Sequence, residues 1–307
     1  MINPGFCAGC APNLPDLECQ GCFKRLGIIK VHWECWSECN LACPFCYRTR
    51  GIPLDTEEAK KLLEAVSTSG ATIITFAGGD PSIRPDIIQL ISYAHTLGVQ
   101  VEVQTNSHHL KSDFIEALEK VELVGMSLDG PDANTHDSFR NKPGNFNRVM
   151  TLLRTLSAKE VPLIVRTIVA KPNNIMIPRM ANLLEEFSNI IKWSLMEFSP
   201  VGEGFFNCER YKLDRDVFDK ITDEVKKAYK GSGQVDVYRT ESKLGTYVII
   251  TPHGYMYGTT QPAVNGVYPT IGSILRQHLV VLAEKHTFSK ENHILRYSKD
   301  LLHTQQN

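Results

Sequence analysis

Cys39, Cys43 and Cys46 stand in the run Cys39-Asn40-Leu41-Ala42-Cys43-Pro44-Phe45-Cys46, a C-x3-C-x2-C spacing on one short segment. Three thiolates so spaced can ligate three irons of a cubane cluster and leave the fourth iron open to a chelating cosubstrate. A structural zinc site wants four closed ligands, usually from paired C-x2-C knuckles, which this triad does not supply. A second set, Cys7, Cys10, Cys19 and Cys22, does have the paired spacing of a closed four-thiolate site. Zinc and a second [4Fe–4S] cluster both suit that set, with the cluster slightly preferred. Cys35 reads as core or an alternative ligand, and Cys208 as an isolated core or surface thiol.

Eight of the nine cysteines precede residue 47. In a reducing compartment such clustering points to metal binding or catalysis rather than to disulfides. The opening residues 1–10 show neither a basic nor an apolar stretch of the secretory kind, and apolar runs such as 247–250 are too short to span a bilayer. The expected location is the cytoplasm. A formal net charge of −1 in 307 residues provides no overall field for nucleic acid or an anionic membrane. At 42% hydrophobic and 22% charged, the composition is that of an ordinary globular protein.

The elements that must position the triad alternate. Short β-branched or aromatic runs at 28–33, 72–76, 100–104, 123–128, 163–169 and 193–198 predict six strands. Amphipathic stretches at 56–67, 85–97, 112–121, 145–158 and 177–189 predict the helices between them. Thr56 is expected to cap the first helix, Pro85 to open the second and Gly98 to end it. Strand alternating with helix argues for an α/β fold with a parallel sheet, and six units fit a partial (β/α)6 barrel. Three zones follow: a Cys-rich N-terminal segment at 1–27, the barrel at 28–205, and a small α+β C-terminal cap at 206–307. The cap is expected to hold a helix near 214–230, a hairpin at 247–257 and a charged terminal helix.

With the triad placed just after the first strand, the chain resembles the radical S-adenosylmethionine (SAM) superfamily. Further motifs follow in that family's order. Phe76-Ala77-Gly78-Gly79-Asp80-Pro81 resembles its Gly-Gly-Glu-Pro turn, with Asp in place of Glu. Thr105-Asn106-Ser107 resembles its Thr-Asn-Gly, and Ser127-Leu128-Asp129-Gly130-Pro131 with His136, Asp137 and Arg140 resembles the fifth-strand region of the SPASM/twitch branch. Phe198-Ser199-Pro200-Val201-Gly202 resembles the sixth strand's exit. A SPASM domain carries many cysteines, whereas only Cys208 follows Cys46 here, so the C-terminal zone resembles that domain with its ligands gone.

The resemblance implies a [4Fe–4S] cluster on Cys39, Cys43 and Cys46 with SAM chelated to its open iron. It implies that Gly78, Gly79 and Asp80 receive the SAM amine and that Phe45 covers the adenine. Thr105 and Asn106 are then placed for the ribose, and Ser127 and Arg166 for the carboxylate, with Arg140 a rival. It implies an oxygen-sensitive enzyme supplied by a flavodoxin- or ferredoxin-type electron donor. It also implies reductive cleavage of SAM to a 5′-deoxyadenosyl radical that takes hydrogen from a substrate. No spacing identifies a catalytic acid or base.

The cap is expected to close the barrel over a pocket faced by His253, Tyr255 and Tyr257. A compact cap suits a small biosynthetic metabolite: a sugar, nucleoside or amino-acid derivative. The alternatives are a ribosomal-peptide maturase that crosslinks or epimerises, and a non-catalytic zinc- or cluster-binding regulator.

Overall fold

A computed structural model describes residues 28–109, 111–285 and 289–304. Strands β1 (Lys30–Trp36), β2 (Ile73–Gly78), β3 (Gln100–Thr105), β4 (Leu123–Ser127), β5 (Leu163–Val169) and β6 (Ile190–Glu197) pair parallel in chain order. Helices α1 (Thr56–Thr68), α2 (Ile87–Thr96), α3 (Ser112–Leu118), α4 (Ala133–Arg140), α5 (Asn145–Ser157) and α6 (Met180–Leu184) lie in the connections. The expected α/β barrel of six units is therefore present. A sheet whose parallel strands are joined by helices is covered on one face by those helices, and its strands carry the core.

Alternation on β1 divides the two faces. Val31, Trp33 and Cys35 are buried in the main hydrophobic core with Leu62, Leu63 and Phe76. Lys30, His32 and Glu34, the intervening residues, point into the concave side of the sheet. That side is polar: Lys30, Glu102 and Glu34 are all buried there. Burying charge is costly unless it is paired, and most of these groups are paired across the lumen. Lys30 Nζ meets Glu102 at 2.6 Å and Asp300 at 2.5 Å, and Arg166 meets Glu102 at 2.5 Å. A Cβ at Gly125 of β4 would overlap the Arg166 guanidinium, so this glycine makes room for the Arg166–Glu102 pair.

Local expectations are adjusted in four places, the first at α2, which opens after Asp86 rather than at Pro85. The cap of α1 is Asp55, not Thr56. Its carboxylate accepts from Glu58 N at 2.9 Å in a reciprocal capping box, while Thr56 Oγ1 donates to Asp86 Oδ2 at 2.8 Å. The expected helix at 177–189 starts as a 3-10 turn, Asn174–Arg179, and is α-helical only over α6, because Pro178 has no N–H to donate. Helix α4 lacks an apolar stripe and is read from the sequence only as a motif. Gly98, at φ +71°, does stand just past α2.

The C-terminal zone shares the barrel's sheet instead of lying over it as a separate layer. It runs α7 (Glu203–Phe206), α8 (Cys208–Tyr211), α9 (Arg215–Ala228), β7 (Gln234–Tyr238), β8 (Ile249–Ile250), β9 (Tyr255–Tyr257), β10 (Thr270–Ser273), α10 (Leu279–Lys285) and α11 (Lys290–Thr304). Strand β7 pairs parallel to β6 at one end, and β8 pairs parallel to β1 at the other, followed by antiparallel β9 and β10. Exposed main-chain donors and acceptors on β1 and β6 are the physical reason: edge strands recruit partners. Helix α11 then closes the lumen. Asp300 bridges Lys30 and Lys192, Tyr297 meets His32 Nε2 at 2.8 Å, and the buried His293 ring accepts from Ile29 N at 2.9 Å.

Candidate functional site

The loop after β1 is held against the turn after β2. Gly79 N donates to Trp36 O at 2.6 Å, and Asp80 N donates to Glu38 O at 2.9 Å. Gly78 sits at φ +117°, and a Cβ at Gly79 would overlap Glu38 O, so both glycines are demanded by the close approach of two backbones. Cys39, Cys43 and Cys46 follow on this loop, and Cys46 N closes a turn onto Cys43 O at 3.2 Å.

The thiols are desolvated. Burial pushes Cys43 up to about 12 and raises Cys39 and Cys46 as well. Such groups stay protonated unless a cationic centre compensates them, which a metal does when it binds a thiolate. Among the described residues no three His, Cys, Asp or Glu side chains converge on a single ion. The sulfur of Cys39 accepts from Leu41 N at 3.4 Å and from Asn106 Nδ2 at 3.3 Å. The donor set and these hydrogen bonds fit an iron–sulfur cluster.

The Asp80 carboxylate, expected at an amine, is engaged within the protein. It accepts from Ser82 N at 2.9 Å, Asn106 N at 2.6 Å and Thr105 Oγ1 at 3.1 Å. Asp80 thereby joins the glycine turn to the end of β3. Thr105, expected at a ribose, spends its hydroxyl on Asp80 and on Ser107 N at 3.0 Å. The Asn106 side chain, likewise expected at a ribose, clasps Cys39 and Asn40 and accepts from His108 N at 2.8 Å. Ser107 Oγ is buried without a partner among the described residues.

Phe45, expected over an adenine, packs its ring against Phe139 at 4.4 Å and Tyr211 at 5.6 Å between centroids. Phe198 and Ala170 complete this apolar cluster beneath the loop. Stacking of aromatic rings explains the orientation. Ser127 and Arg166 are register partners on β4 and β5. Arg166 gives Nη2 to Glu102 and leaves Nη1 buried without a hydrogen bond. Arg140 is committed to Asp129 at 2.7 Å, inside the fold. Of the expected pocket residues, Tyr257 points inward, its hydroxyl 3.3 Å from Glu34. His253 and Tyr255 instead line a separate groove with Ile52, Leu54, Glu58 and Arg276.

Two features escape the sequence reading. Asp129 N donates to His136 Nδ1 at 3.0 Å, which leaves His136 Nε2 to donate to Asn145 Oδ1 at 3.0 Å. Asn145 Nδ2 then donates to Asn106 O at 3.0 Å, so a buried chain of hydrogen bonds reaches the residue that clasps Cys39. Burial lowers His136 to about 4 and keeps it neutral, as this chain requires. The second feature is Glu34, which burial raises to about 7. The period-two alternation of Lys30, His32 and Glu34 was the available signal for an inward carboxyl. Cys7, Cys10, Cys19 and Cys22 lie outside the described residues, and so does the expected N-terminal segment at 1–27.

Comparison with known proteins gives consistent results. The family model of the Radical SAM superfamily matches residues 33–184. The AdoMet-dependent heme synthase of Methanosarcina barkeri is 32% identical over 181 residues, 57% of this chain and 52% of that protein. The sporulation killing factor maturation protein SkfB of Bacillus subtilis is 29% identical over 179 residues, 56% of this chain and 43% of that protein. The chain thus spans about half the length of the curated relatives it matches. Streptococcus suis SuiB, solved bound to S-adenosylmethionine, superposes with a TM-score of 0.66 at 16% identity, over 90% of this chain and 70% of that one. No helix among the described residues is long and apolar enough to cross a membrane.

Proposed function

We infer, from a chain that belongs to the radical SAM superfamily through residues 33–184, that it is an enzyme of SAM-dependent hydrogen abstraction acting on a small biosynthetic metabolite. The superfamily's cofactors are a [4Fe–4S] cluster and SAM. In this reading Cys39, Cys43 and Cys46 hold the cluster. When bound, the reduced cluster would supply one electron to SAM, whose cleavage to methionine and a 5′-deoxyadenosyl radical is chemistry that belongs to the cofactors.

The chain's own residues prepare the place. Gly78 and Gly79 present main chain at the cysteine loop, Asp80 and Thr105 brace it, and Asn106 donates to the Cys39 sulfur. Arg166 Nη1, buried without a hydrogen bond among the described residues, is the group for the cosubstrate carboxylate, with Ser127 beside it as its register partner. Residues 28–205 carry the cofactors, and residues 206–307 shape the space for substrate. The observation that carries the reading is the desolvated triad with Asn106 at 3.3 Å from Cys39.

A small substrate is favoured because α11 occupies the lumen with Arg296, Tyr297 and Asp300. A ribosomal-peptide maturase is the second reading, favoured by the likeness to SkfB. The test is anaerobic reconstitution with iron and sulfide, then SAM and dithionite. Release of 5′-deoxyadenosine is expected, with loss of activity and of one cluster's share of iron in the Cys39/Cys43/Cys46→Ala triple variant. Stimulation by a small-metabolite extract but not by a peptide fraction separates the two substrate classes. Iron-free protein, or a triple variant that holds as much iron as the wild type, overturns the assignment.

A further inference from the structure

The charges of the lumen are neutralised unevenly. On β1, β5 and β6 each cation has a carboxylate: Lys30 has Glu102 and Asp300, Lys192 has Asp300, and Arg166 has Glu102. Two cations from the C-terminal zone do not. Arg296 of α11 lies between Tyr238 at the end of β7 and Tyr247 just ahead of β8, 3.8 and 4.2 Å from their ring centroids. Its Nη2 donates to the Tyr247 hydroxyl. Lys243, in the β7–β8 connection, gives Nζ to Glu197 O at 2.7 Å and to Ser199 Oγ at 3.0 Å. The Glu197 carboxylate turns aside to accept from Thr240 N at 2.7 Å.

Neutral oxygens and aromatic faces are therefore the partners of both cations among the described residues. A positive group withdrawn from water, as Arg296 is and Lys243 in part is, is normally held by a counter-charge, and two neighbouring ones repel. Burial and the neighbouring Arg296 charge lower Lys243 to about 7, against the smaller opposing pull of Glu197. Lys243 stands at the carboxyl end of β6, the end of the sheet where ligands of parallel α/β folds bind, and Arg296 reaches from the end of β7 to Tyr247. The pair is also tied to the cysteine loop, because Glu203 N, just beyond the Lys243 acceptors, donates to Cys46 O at 2.8 Å.

We propose that Lys243 and Arg296 form a docking site for an oxyanion, carboxylate or phosphate, carried by the substrate. The proposal rests on the enzyme reading above and names its substrate class. An oxyanion accepts from both side chains at once and supplies the charge that the protein omits. Tyr238 and Tyr247 hold the Arg296 plane in position, so little ordering remains for the ligand to impose.

The probes are propionate, methyl phosphate and the neutral propionamide, titrated into the anaerobically purified holoprotein at constant ionic strength and below the Lys243 pKa. Isothermal titration reads affinity, with and without saturating SAM. At least one anion is expected to bind more tightly than propionamide, and the one that does identifies carboxylate or phosphate as the source. Lys243→Gln is expected to weaken that anion by about tenfold or more, the scale of a charge-assisted hydrogen bond, and Lys243→Arg to retain it. The proposal is overturned if neither anion exceeds propionamide, if Lys243→Gln binds as the wild type does, or if SAM displaces the anion. Should Lys243→Gln fail to fold, the wild-type comparison with propionamide and SAM decides alone. Iron content and 5′-deoxyadenosine release on the same preparation keep the failures apart: anion binding without iron sinks the cofactor assignment, and release without anion binding sinks the docking site.

Discussion

Lys30 at the head of the first strand and Asp300 in the last helix meet at 2.5 Å with neither side chain exposed, and the same Asp300 also neutralises Lys192. One carboxylate therefore joins β1, β6 and α11, and through Lys30 it is coupled to Glu102 on β3.

Removing that carboxylate leaves two buried ammonium groups short of charge. Asp300→Ala is expected to destabilise the protein by about 3–5 kcal/mol, the usual result of breaking a buried pair from one side. Urea unfolding of the anaerobic protein measures it. A change below 1 kcal/mol would mean that α11 does not close the lumen.

Asn106→Ala removes a donor from the Cys39 sulfur while leaving all three thiols in place. Groups that orient metal ligands are worth about tenfold to a hundredfold in affinity or activity, so 5′-deoxyadenosine release is expected to fall on that scale. Hydrogen bonds to cluster sulfurs also raise reduction potentials, so the cluster's potential should move to more negative values. An unchanged potential would show that the clasp does not reach the sulfur in the loaded protein.

Glu34 makes stability depend on pH. Its carboxyl is raised by burial from 4.5 to about 7, so between those values the folded protein holds a proton that the unfolded chain releases. Stability therefore falls as pH rises through this window, by about 3 kcal/mol over its whole width. Glu34→Gln should flatten that slope, as read from unfolding midpoints at several pH values. A slope that persists in the variant assigns the effect to another group.

Gly79→Ala places a methyl group on Glu38 O. Pushing the two backbones apart costs about 1–3 kcal/mol in a packed region, and it opens the loop that carries the thiols. Iron per chain after reconstitution is expected to drop well below wild type. Full iron loading would show that the close approach is dispensable.

The cysteine spacing, the order of six strands and the helices between them were legible because they are local patterns. A C-x3-C-x2-C run needs no partner to be recognised, and strand and helix periods repeat within a few residues. The polar face of β1 was equally present in the alternation of Lys30, His32 and Glu34. Tertiary structure alone decided which of these groups remain available. Asp80 and Thr105 are drawn together across 25 residues and engage each other, and Phe45 turns into a cluster with Phe139 and Tyr211. Asp300 finds Lys30 across 270 residues, and Arg296 finds one tyrosine at the end of β7 and another just ahead of β8, at opposite ends of the parallel sheet. Hydrogen-bond capacity, charge compensation and ring packing are properties of pairs, and a pair so distant in the chain exists only once the fold has brought it together.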